Sequence, residues 1–409
     1  MPITQAFRAS LLHFTDDPLH NEQAVQWHTD GVLLLDGDRV SAAGDYAALK
    51  QLIPAELEVQ HFPGKILAPG FIDSHIHYPQ TDMIASPAPG LLSWLDQYTF
   101  PTERQFSSLE HANEVASFFI DELIRCGTTT AMVYCTVHPE SVEAFFTQSE
   151  KRNVRMIAGK ALMDRNCPEF LRDTAESGAR DTEALIQKWH QRGRQMVAIT
   201  PRFAPTSTET QLQLAGELAA RYPDTFVQTH VAENKDECAW ARSLFPQARS
   251  YLDIYDHYGL LRPRSMYAHC IWLDQTDRQR MAETQSAIAL CPTSNLFLGS
   301  GLFDFDNANA AGMPLSLATD VGGGTSFSML QTMNEMYKVA RMGGHYLPAT
   351  RMFYLATLGS ARAMQLDNTI GSFATGNEAD FIILDPQATP LLARRSNNTD
   401  SLEELLFVL

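Results

Sequence analysis

Along most of this chain, short apolar runs alternate with longer stretches of helical period. Eight of the runs read as strands: 71–76, 128–134, 154–162, 196–203, 225–231, 265–270, 287–293 and 314–320. Between them lie amphipathic segments such as 111–127, whose apolar residues recur at helical spacing and stop at Gly127, and the similar 208–222 and 275–285. Strands alternating with helices predict a parallel sheet wrapped by helices. Eight such units, over this length, predict a (β/α)8 TIM-type barrel, an α/β fold. The alternative, an open doubly wound sheet, would carry a Gly-rich phosphate loop after its first strand, and here that place holds HIHYPQ.

The two ends have a different pattern. Residues 1 to about 66 are β-rich, and VLLLDGDRVSAAG (32–44) reads as a hairpin turning at Asp36-Gly37-Asp38. A matching piece returns at 371–386, with Phe381-Ile382-Ile383-Leu384 expected as a buried strand. Because chain ends often meet in space, segments 1–66 and 371–409 are expected to form one small β domain, with the barrel at 67–370. The connection from Tyr78 to about Ser108 is long for a compact domain, and such connections are usually functional. Its Trp94, Leu95, Tyr98 and Phe100 are expected to cover a pocket as a lid, the alternative being that they only pack the loop.

Composition narrows the classes of function. The 409 residues are 44% hydrophobic and 19% charged, ordinary for a soluble enzyme. A net charge of −17 argues against nucleic acid or an anionic membrane surface as partner. No apolar run is long enough for a membrane span, and the first residues, MPITQAFRASLLHF, lack the pattern of a signal peptide. Cys126, Cys135, Cys167, Cys238, Cys270 and Cys291 are scattered without a C-x-x-C pair, which suits thiols in a reducing compartment, taken to be the cytoplasm.

The chemistry is concentrated where strands end. In Phe71-Ile72-Asp73-Ser74-His75-Ile76-His77 the two histidines are two apart, so on a strand they leave the same face as paired imidazoles. Arg202-Phe203, His230, His269 and Asp320 each follow an apolar run, at the end of a strand where a barrel places its catalytic groups. Three imidazoles and a carboxylate suit Zn2+, with Fe2+ as the alternative ion. Glu233, three residues past His230, is placed to carry protons beside an activated water.

With PGFIDSHIH, the later histidines and the aspartate in place, the chain resembles the amidohydrolase superfamily of metal-dependent hydrolases. HIHYPQTD, LLSWLDQYTFPTE, PRFAPTST, THVAEN, AHCIWL, CPTSNLFLGSGLF and ATDVGGGTSFSML are similar to the guanine deaminase family within it, along nearly the whole length. The resemblance implies hydrolysis of guanine to xanthine and ammonia on one zinc ion, in a homodimer. It implies that His75, His77, His230 and Asp320 hold the metal. Glu233 would protonate the ring nitrogen and then the leaving amine. Asp320 would take a proton from water, and His269 would hydrogen-bond the reacting centre. Gln80, Arg202 and Phe203 would contact the purine, together with His230, Glu233 and Asp320. An arginine fork matches guanine's O6 and N7, while Phe203 offers a stacking face; the alternative for Arg202 is a structural pairing with a carboxylate. Another aminohydrolase of purines, pyrimidines or triazines is the competing activity. The final SLEELLFVL reads as helical where the family continues into a strand, so a shortened small domain is expected. The chain lacks the P-C-x-x-C zinc motif of the other nucleobase deaminase architecture.

Overall fold

The computed structural model describes residues 3–409. Eight parallel strands follow one another in chain order: β1 (Phe71–His77), β2 (Thr128–Tyr134), β3 (Arg155–Gly159), β4 (Gln195–Pro201), β5 (Phe226–Val231), β6 (Ser265–His269), β7 (Ala287–Leu290) and β8 (Leu315–Leu317). Each is the sheet neighbour of the next. The sheet curls until its ends meet, where Asp320 N–H donates to His75 O at 3.0 Å and His77 N–H to Val321 O at 2.8 Å. This is the expected barrel, nearly closed, with helices between the strands.

Local sequence explains the pieces. β1, β3 and β4 are buried on both faces, as strands in a helix-wrapped parallel sheet must be. The first long helix runs Leu109–Arg125, beginning where Ser108 caps it through His111 N–H. Its buried Ala112, Val115, Ala116, Phe119, Ile120 and Leu123 repeat at helical period and form the stripe that faces inward. β4 stops at Pro201, and β7 at Leu290, because Pro292 opens the helix Pro292–Phe297. Several strands are therefore shorter than their apolar runs.

By contacts the chain divides into two compact units, one comprising the chain up to Ile72 with Leu347–Leu409, the other Asp73–Tyr346. The first contains a separate five-stranded sheet from both ends of the chain, ordered Phe381–Leu384, Val59–Pro69, Gln5–Phe14, Val25–Asp36, Arg39–Asp45. The expected hairpin is present, with Asp36 opposite Arg39 and Gly37 in the left-handed region at φ 60°. The segment 381–384 is not the buried strand its apolar run suggested. It lies at the sheet edge, pairs only with Ile66–Pro69, and leaves Ile383 41% exposed. The segment Leu402–Val408 is helical, as its pattern indicates.

The 78–108 connection is not an open loop. It folds as a string of short helical turns: Tyr78–Met83, Leu91–Trp94, a π-helical Leu95–Thr99, Phe100–Glu103 and Arg104–Ser107. Trp94, Leu95 and Phe100 are buried in one cluster with Met83, Met163, Leu171 and Phe203, while Tyr98 packs only at its margin. All six cysteines are free thiols, and no described helix is long and apolar enough to cross a membrane.

Asp73 joins the first and last staves. Its Oδ1 accepts from the backbone N–H of Thr319 at 3.1 Å and of His75 at 3.3 Å, and Oδ2 accepts from the Thr319 hydroxyl. Buried polar groups stripped of partners cost about 1–3 kcal/mol each. Asp73→Ala is expected to lower the thermal midpoint by roughly 3 °C or more, since it orphans three donors at once. Differential scanning calorimetry checks this; an unchanged midpoint contradicts the role in closure.

Candidate active site

At the C-terminal end of the barrel, β1 delivers His75 and His77 and β5 delivers His230. The ring nitrogens converge: His77 Nε2 lies 3.2 Å from His75 Nε2 and 3.2 Å from His230 Nε2. The Asp320 carboxylate joins them, with Oδ1 3.2 Å from His75 Nε2 and 3.5 Å from His77 Nε2. Burial and mutual repulsion hold all three imidazoles far below their ordinary pKa, so they are neutral. His230 Nδ1 lies 2.6 Å from the Arg202 carbonyl, which can only accept; Nδ1 therefore carries the proton and Nε2 offers its lone pair inward.

Buried nitrogens crowded this closely around one point need a common partner. Two nitrogens each bound at 2.0–2.1 Å to a tetrahedral ion would stand about 3.3 Å apart, close to the spacing found. Neutral imidazoles and a carboxylate are also the donor set that such an ion takes. The residues present fit a divalent metal.

Beside this cluster are the proton-carrying groups. His269 ends β6, and its Nε2 lies 3.3 Å from Glu233 Oε2 and 3.8 Å from Asp320 Oδ2. Its Nδ1 pairs with Asn295 Oδ1 at 2.8 Å, which fixes the ring. Glu233 is buried, not a solvated loop residue, and Ser300 donates to its Oε1 at 3.0 Å. Burial, and secondarily the charge of Asp320, raise the Glu233 carboxyl to about 8. Glu237 sits behind it, accepting from the Glu233 N–H at 3.0 Å and the Tyr251 hydroxyl at 2.7 Å, and so fixes the turn that carries Glu233.

Opposite lies a wall suited to binding. Gln80, Arg202 and Phe203 line a cavity that opens to solvent, together with Leu91, Trp94, Leu95, Leu298 and the groups above. Tyr98 and Phe100 do not line it, so of the four expected lid residues only Trp94 and Leu95 face the cavity. Arg202 Nη1 donates to Glu103 Oε2 at 2.7 Å, and Gln80 Nε2 donates to Glu103 Oε1 at 3.3 Å. Arg202 thus both lines the cavity and pairs with a carboxylate.

His75, His77, His230, His269, Asp320, Glu233, Gln80, Arg202 and Phe203 all meet at this one place. Two of them are held in backbone rarely used by residues with a Cβ, His269 at φ 71° and Asp320 at 53°, as is Ala232 at 51°, just before Glu233. Left-handed backbone of this kind collects at functional sites, where the fold overrides local preference. Sequence reasoning missed Glu103, Glu237, Asn295 and Ser300. Glu103 lies inside LLSWLDQYTFPTE, but an acidic residue in a helical turn carries no local sign of burial.

A model of the amidohydrolase family matches residues 66–405. The guanine deaminase of Escherichia coli (strain K12) is 48% identical over 408 residues, covering 99% of this chain and 93% of the relative. The solved guanine deaminase from Bradyrhizobium japonicum aligns with a TM-score of 0.95 at 32% identity, covering 99% of this chain and 94% of that one. A guanine deaminase from C. acetobutylicum, solved with guanine bound in its active site, aligns with a TM-score of 0.88 at 25% identity, covering 99% and 95%. The chain belongs to the amidohydrolase family, within its guanine deaminase branch.

Proposed function

We propose that this protein hydrolyses guanine to xanthine and ammonia. The observation that carries the reading is one cavity joining the imidazole–carboxylate cluster, the buried Glu233 and the Arg202–Gln80 wall. The guanine deaminases that this chain resembles over nearly its whole length support the substrate.

His75, His77, His230 and Asp320 would hold one divalent ion, Zn2+ by the nature of the donors, with Fe2+ as the alternative. When bound, such an ion acidifies water toward neutral pKa and offsets negative charge that develops during attack.

The residues themselves account for binding and proton traffic. Guanine presents O6 and N7 as adjacent acceptors, which suits the donors of Arg202 and Gln80. Phe203 supplies an aromatic surface; stacking of this kind contributes about 1–3 kcal/mol and accepts any base. With the O6 edge so held, the side bearing C2 and its amino group faces Asp320, His269 and Glu233. Asp320 accepts one proton from the attacking water as the new C–O bond forms at C2. Glu233, protonated at neutral pH because its carboxyl is raised to about 8, donates to N3, so C2 becomes tetrahedral without full negative charge. Glu233, now a carboxylate, takes the proton left on the new hydroxyl and passes it to the amine, which leaves as ammonia, and the proton held by Asp320 then restores Glu233. His269, fixed by Asn295, hydrogen-bonds the oxygen at the reacting centre.

Purified protein should release xanthine and ammonia from guanine in equal amounts, with adenine, cytosine and triazines slower by about 100-fold or more. Chromatography of the products with a coupled ammonia assay reads this, and faster turnover of another base would replace guanine as the substrate.

Glu233→Gln should retain bound metal and its thermal midpoint while losing roughly 10²- to 10⁴-fold in rate, because the amide fills the space but carries no proton. Rate and metal content are to be measured on the same preparation. More than about a tenth of the wild-type rate contradicts the proton-carrying role.

A further inference from the structure

The binding wall is held from behind by a group that does not itself face the cavity. Glu103 ends the helical turn Phe100–Glu103, is 1% exposed, and is not among the residues lining the cavity. Its oxygens each take a different partner: Oε1 accepts from Gln80 Nε2 at 3.3 Å and Oε2 from Arg202 Nη1 at 2.7 Å. On the far side, Gln80 Oε1 accepts from the Gly322 backbone N–H at 3.0 Å.

The polarity of this chain is fixed at both ends. A backbone N–H can only donate, and an ionised carboxylate can only accept. Between them the Gln80 amide has a single satisfied orientation, oxygen toward Gly322 and nitrogen toward Glu103. Its second N–H, and the Arg202 donors that Glu103 does not use, are then what the wall offers the cavity. The pairing also keeps the buried guanidinium in place, because a buried charge without its partner is strongly unfavourable. Both side chains are almost fully enclosed.

We infer that Glu103 is a positioning residue for substrate selection: it holds Gln80 and Arg202 as donors toward the cavity and so sets the preference for purines with oxygen at C6. This rests on the guanine reading above and adds the group that makes the wall selective. A carboxylate at this position is needed for its chemistry as well as its size. The amide introduced by Glu103→Gln can accept from Arg202 only by turning its NH2 toward the NH2 of Gln80, so donor faces donor.

The test compares inhibition constants of hypoxanthine, which keeps the O6–N7 edge but has no amino group to lose, and purine, which lacks O6. Glu103→Gln should shrink the purine-to-hypoxanthine ratio by about tenfold or more. A second variant combines Gln80→Glu with Glu103→Gln. The carboxylate at position 80 can then accept from Gly322 and from the amide at position 103, whose oxygen accepts from Arg202. That swap should bring the thermal midpoint back to within about 2 °C of wild type while the ratio stays low, because position 80 no longer donates. If Glu103→Gln does not fold, the swap alone decides. A ratio within about twofold of wild type in Glu103→Gln, or a swap that restores the ratio along with the midpoint, overturns the inference. Wild-type guanine turnover is the control. Its absence removes the guanine reading and this inference together, whereas turnover with an unmoved ratio removes this inference alone.

Discussion

The structure depends on the meeting of three neutral imidazoles and one carboxylate at the end of a parallel barrel. Left to themselves, His75, His77, His230 and Asp320 would be costly to bury so close together, since each loses water and none finds a sufficient partner among the others. The fold holds them there nonetheless. Asp73 ties β1 to the segment after β8, the Arg202 carbonyl orients His230, and left-handed backbone turns Asp320 and His269 into place. A divalent ion would resolve the conflict, as a common partner for these lone pairs.

The remainder of the cavity complements that centre by contrast. Its chemical end is acceptor-rich, and there burial and the charge of Asp320 raise the Glu233 carboxyl well above its ordinary value. Its binding end is donor-rich, because Glu103 absorbs acceptor duty behind Gln80 and Arg202. Trp94, Leu95 and Leu298 close the sides with apolar surface, which lowers the local dielectric and strengthens the polar contacts that remain. The proposed substrate, a flat purine with acceptors on one edge and an amino-bearing carbon on the other, would match both ends at once.

Much of this was legible in sequence for definable reasons. His75 and His77 were readable because a strand repeats every two residues, and His230, His269 and Asp320 because each directly follows an apolar run. The barrel was readable from the alternation of eight such runs with helical segments. Glu103, Asn295 and Ser300 were not, because their roles arise from contacts 99, 26 and 67 residues away in the chain. The 78–108 segment hid its structure for another reason: its helical turns are too short to build a period. The run 381–384 misled because apolar character alone does not distinguish a central strand from an edge strand.

The central claim is that His75, His77, His230 and Asp320 together bind one metal ion. Its most direct test is elemental analysis of protein purified without chelator, alongside His230→Ala prepared identically. The account predicts close to one zinc or iron per wild-type chain and a large loss of metal from the variant, with circular dichroism unchanged. Wild-type protein free of transition metal after growth and dialysis with zinc, or a variant that keeps a full complement, would contradict it.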